Sequence, residues 1–160
     1  MQFTPRERYL AFHALADAEA RTSGYYCIPP FRWQKLHYDL LTRKDREWRP
    51  LPEGMLARTQ RCELRTTRRA ELSDFFRIEL NDPGILTAAH RERLRNDIYP
   101  LLLYILTHEM VHLVRLSSIL TDAEQLTLPR ESEESRVSQI ARSILMTATA
   151  PGLDAVLERF

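Results

Sequence analysis

Between Ile98 and Leu106 the chain runs through nine residues without a charge, Ile-Tyr-Pro-Leu-Leu-Leu-Tyr-Ile-Leu, and then enters His108-Glu-Met-Val-His112. This stretch constrains the fold more than any other. Nine residues are about half of what a bilayer span requires, so the run belongs in a protein core. Thr107 is the only polar residue between Ile98 and His108, and Met110, Val111, Leu113 and Val114 carry the apolar character past the histidines. The pattern predicts a buried helix from about Asp97 to Ser118, with Pro100 tolerated in its first turn. Two histidines and a glutamate on such a helix need a reason to be there, because unpaired buried charge costs several kcal/mol.

Histidines four residues apart project from one helix face, one turn from each other. The imidazoles of His108 and His112 can therefore hold one zinc ion, with Glu109 beside them to polarise a water on the metal. The plainer alternative satisfies both imidazoles with core hydrogen bonds and pairs Glu109 with an arginine. A catalytic zinc needs a third protein ligand. The other histidines, His13, His37 and His90, all precede the motif. Arg115 and Ser118 stand where the longer metzincin pattern has its glycine and third histidine, which excludes that arrangement. A carboxylate from a later helix is expected instead, and Glu131, Glu133 and Glu134 cluster there.

That later helix should run from Pro129 to about Thr147, where Pro151-Gly152 stops it, with Val137, Ile140, Ala141, Ile144 and Leu145 as its core stripe. Projected at 100° per residue, Glu133 and Glu134 fall at opposite edges of the stripe, while Glu131 points away. The competing account is a solvated first turn in which acidic residues merely suit the helix dipole.

Elsewhere, Thr4-Pro5-Arg6-Glu7 forms a capping box that opens a helix to about Thr22, with Gly24 beyond its end. Pro30 opens a second helix through about Arg43, and Pro50 and Pro52 mark a loop. Residues 59–66 and 75–80 read as strands, and Asn81-Asp-Pro-Gly84 reads as a turn, followed by helical pattern from Thr87. Thr121-Asp-Ala-Glu124 is a further capping box, expected to start a short helix. The fold class is α+β and mostly helical, one domain over residues 1–160. Residues 1–55 form its helical N-terminal extension, and residues 97–148 hold the motif helix and the glutamate helix.

Composition narrows the partners. Of 160 residues, 44% are apolar and 28% charged, enough for a real core and against intrinsic disorder. A net charge of +1 selects neither nucleic acid nor membrane. Residues 42–70 carry nine Arg/Lys against four Asp/Glu, but no aromatics interleave them as nucleic-acid binding would want. Two cysteines, Cys27 and Cys62, make no disulfide framework, and no secretory or membrane-spanning segment is evident, so a cytoplasmic location is expected.

HExxH on one helix followed by a glutamate on the next resembles the gluzincin metallopeptidases, and the small size is most similar to their minimal soluble members, the minigluzincins. The resemblance covers roughly Asp97 to Met146. It implies a zincin-like fold with an active-site helix, a glutamate helix and a small sheet. It also implies zinc held by His108, His112 and one of Glu133 or Glu134, with Glu109 as general base and acid. The family often places a supporting carboxylate four residues after the ligand glutamate; here Val137 or Ser138 stands at that position. Ser138 can hydrogen-bond a ligand histidine, which favours Glu134. The stretch Ile140–Met146 also resembles peptidases that cleave repressors.

The function expected is thus a zinc-dependent peptidase that hydrolyses a polypeptide substrate lying along a strand edge, 75–80 or 59–66. A zinc-binding regulatory protein without turnover is the alternative, and a helical interaction module with an accidental motif is a third. Cys27 is weighed as a latency ligand to zinc against an inert thiol.

Overall fold

The computed structural model describes residues 1–62, 75–94, 97–120 and 129–160. Among the described residues it has six helices and three strands, in an α+β arrangement with a small mixed sheet.

Helix α1 spans Pro5–Tyr25. The Thr4 hydroxyl accepts from the Glu7 N–H at 3.2 Å, and the Glu7 carboxylate accepts from the Thr4 N–H at 2.7 Å, so the expected capping box forms. Its buried face is Ala11, Ala14, Leu15, Ala18 and Thr22, mostly small side chains that allow close approach to a neighbour. The helix continues three residues past Thr22, taking Gly24 into its last turn.

The second helix departs from expectation. Pro30 does open a helix, α2, but it ends at Trp33, and the chain then forms strand β1, His37–Leu41. Leu36, Tyr38 and Leu40 recur every second residue, a strand period that the helix-starting proline obscured. Strand β2 is Ala57–Cys62 and strand β3 is Phe75–Leu80. The sheet order is β1-β3-β2, with β1 parallel and β2 antiparallel to the central β3. Phe76, Ile78 and Leu80 on one face of β3 are completely buried. Residues 63–66 of the expected strand lie outside the described residues, as does the capping box at 121–124.

Helix α3, Asp82–Arg91, starts five residues before Thr87. Asn81 is its cap: its side-chain oxygen accepts from the Gly84 N–H at 3.2 Å. Helix α4, Tyr99–Leu116, takes Pro100 in its first turn and lies at the centre of the molecule. Every residue from Leu101 to Thr107 is buried. α1 packs along it, β2 lies across it, and two further helices cover it.

These two are α5, Arg130–Leu145, and α6, Leu153–Arg159. Val137, Ile140, Ala141 and Ile144 of α5 pack on Val111 of α4, with the Tyr26 ring alongside. Gly152, at φ 84°, makes the left-handed turn into α6. α6 brings the Phe160 ring 6.4 Å from Tyr104 of α4, centroid to centroid. Among the described residues no helix is long and apolar enough to cross a membrane.

Candidate metal centre

His108 and His112 leave α4 from the same face, their ring centroids 4.9 Å apart. They are the only two residues between Leu101 and Val114 that are not buried, so this face opens where the rest of the helix is sealed. α5 crosses in front of it. One Glu134 oxygen lies 3.1 Å from Nε2 of His112, and the other lies 3.4 Å from Nε2 of His108. The nitrogen and oxygen atoms that these three residues offer all lie within 4.8 Å of one another.

The spacing fits a metal. Ligands about 2.0–2.2 Å from a tetrahedral zinc lie roughly 3.3 Å from one another. The two nitrogen–oxygen separations, 3.1 and 3.4 Å, each to a different Glu134 oxygen, lie close to that value. Charge points the same way. Burial, and then the neighbouring His112, lower the His108 pKa to about 4, so near neutral pH this imidazole offers a lone pair. Two imidazoles and a carboxylate are the donor set of a zinc site with an open fourth position.

Glu109 follows His108, turned about 100° around the helix toward β2. Its carboxyl is buried at 6% exposure and accepts a hydrogen bond from the Thr59 hydroxyl, 2.8 Å to Oε2. The same hydroxyl lies 3.3 Å from the Glu109 carbonyl, the longer and weaker of the two contacts. Burial raises the Glu109 pKa, while His112 and the Thr59 bond pull it back down. A carboxyl that holds its proton more tightly than usual is suited to accept one and release it again.

Of the other predicted residues, Glu133 is not in the cluster. It faces Arg115 of α4, which donates from Nε at 2.5 Å and from Nη2 at 2.9 Å. That hydrogen bonding lowers its pKa. Glu131 is exposed in the same turn. Ser138 lies one turn beyond Glu134 but faces the Tyr104 hydroxyl, and Nδ1 of His108 is buried with no hydrogen-bond partner. Cys27 is exposed and stands outside the His108–His112–Glu134 group.

Three residues at the site escaped the sequence reading: Thr59, Arg115 and Tyr26. Thr59 meets Glu109 across fifty positions of chain, through sheet topology alone. The Tyr26 hydroxyl is buried beside Arg115, and burial raises its pKa against the pull of the guanidinium. Arg115 carried a usable signal, because positions 108, 112 and 115 follow the i, i+4, i+7 spacing of one helical stripe.

No protein-family description, curated protein or solved structure matches the chain.

Proposed function

We propose that the chain is a zinc-dependent peptidase of gluzincin type, with His108, His112 and Glu134 as ligands and Glu109 as general base. The observation that carries this reading is the convergence of the three donor groups at zinc-ligand spacing, with a buried carboxyl next to them. Zinc held there supplies a Lewis acid that polarises a scissile carbonyl and acidifies water toward a pKa of about 7.

The protein's own groups do the rest. Glu109 takes a proton from the attacking water and delivers it to the leaving amine, and the Thr59 hydroxyl holds its carboxyl in place. β2 supplies the edge for an extended substrate, since β3 is flanked on both sides. The Asn81 N–H donates to the Leu56 carbonyl, and the pairing register continues from there. Ala57 and Thr59 therefore turn their backbone N–H and C=O away from β3, beside α4.

One observation favours a second reading, a zinc protein without turnover: the general base is almost wholly buried. The deciding experiment is elemental analysis followed by cleavage of a fluorescently labelled unfolded casein. About one zinc per chain in wild type, lost in His112→Ala and Glu134→Gln, is the expected result. Casein cleavage should vanish in Glu109→Gln while zinc stays. Stoichiometric zinc with no cleavage selects the second reading. A chain that takes up no zinc on reconstitution overturns both.

A further inference from the structure

The turn of α5 that carries Glu134 is not held by apolar packing. The buried residues of α5 are Val137, Ile140, Ala141, Ile144 and Leu145, all C-terminal to Glu134. The Glu134 side chain is itself 56% exposed, and its close polar contacts are with the two histidines rather than with apolar neighbours. Glu133 provides an anchor. Its carboxylate takes two hydrogen bonds from Arg115, whose side chain is only 9% exposed. A two-pronged guanidinium–carboxylate contact fixes orientation as well as distance, which a single ion pair does not.

The geometry of the two helices makes that anchor consequential. His108, His112 and Arg115 form one stripe on α4, and adjacent positions on α5 diverge by about 100°. Seating Glu133 on Arg115 therefore sends Glu134 along α4 toward the histidines, one turn back. The Tyr26 ring packs on the same helix pair, and its hydroxyl lies beside Arg115, so the end of α1 closes the third side.

We infer that the Arg115–Glu133 pair is a positioning clasp that holds Glu134 at ligand distance from His108 and His112. The inference rests on the zinc reading and adds the device that completes the ligand set. Arg115 and Glu133 touch neither substrate nor metal; they act through Glu134.

The test is zinc affinity by chelator competition on the full chain, at a temperature where circular dichroism shows every variant folded. Arg115→Gln and Glu133→Ala are compared with wild type, with the charge-reversed double variant Arg115→Glu/Glu133→Arg, and with Val137→Ala. The last loosens α5 without touching the clasp. Each single clasp variant should weaken zinc binding by about 10- to 100-fold, the range for groups that orient metal ligands. The reversed pair should recover most of that loss, and Val137→Ala should stay within about twofold of wild type. Wild-type affinity in both single variants overturns the clasp and leaves the zinc site standing. Equal loss in Val137→Ala also overturns it, since the effect would then be general loosening. A wild type that binds no zinc overturns the zinc reading, and the clasp with it.

Discussion

The two walls of the candidate centre are built by different physics. α4 buries thirteen of its eighteen residues, and its two histidines are presented by a helix packed on every side but their own. The facing turn of α5 buries none of residues 130–136 and meets α4 through polar contacts, Glu133 with Arg115 and Glu134 with the two histidines. One wall is set by apolar packing, which is strong and non-directional. The other is set by a directional polar contact, which is weak in energy and exact in geometry.

The sharpest break in that comparison is a core truncation. Leu106→Ala removes a completely buried side chain two residues before the motif and should cost about 2–5 kcal/mol. Ser132→Ala, on the exposed turn of α5, should stay within about 0.5 kcal/mol. Urea unfolding of the chelator-treated protein measures both. Similar losses would mean that the two walls are not held differently.

A smaller effect is expected where β2 meets α4. Thr59→Val keeps the shape and removes the hydroxyl that Glu109 accepts from, leaving a buried carboxyl unpaired. The expected loss is about 1–3 kcal/mol in stability, with zinc content unchanged and casein cleavage reduced. Thr59→Ser should restore both. Loss of zinc in Thr59→Val would show that the hydroxyl supports the ligands rather than the base.

Much of this architecture was legible in the sequence where local chemistry decides. The Thr4 capping box, the buried motif helix and the apolar stripe of α5 each depend on residues within a few positions of one another. The failures follow equally plain causes. β1 was hidden because its place is settled by parallel pairing with β3, more than thirty positions away, while Pro30 sent a helix signal nearby. The start of α3 was hidden because Asn81 makes one and the same hydrogen bond in a turn and in a helix cap. At the site, helical projection narrowed the choice to Glu133 or Glu134, and Ser138, the residue that favoured Glu134, faces Tyr104 instead of a histidine. Both residues lie near the facing helix; Arg115 takes Glu133, and Glu134 lies beside the histidines.

Titration gives the finest test of how deeply the α4 wall is sealed. An unfolded histidine protonates near pH 6.5, whereas burial delays protonation of His108 to about pH 4. Between those values the unfolded chain binds the extra proton, so the metal-free protein should lose stability as pH falls, by up to about 1.4 kcal/mol per unit. Glu109 works in the opposite direction. Its raised pKa means that the folded chain keeps a proton the unfolded chain has lost, so its contribution fades as pH rises past the ordinary carboxyl range. The two slopes partly cancel in wild type, and Glu109→Gln removes the opposing one, while the raised pKa of Asp82 and the lowered pKa of Glu133 contribute equally with and without His108→Gln. Urea midpoints from pH 4.5 to 7 in chelator should fall with acidification in Glu109→Gln. They should flatten when His108→Gln is added. An unchanged slope in the double variant would place the proton uptake elsewhere, and would mean that the motif face of α4 is wetter than its packing implies.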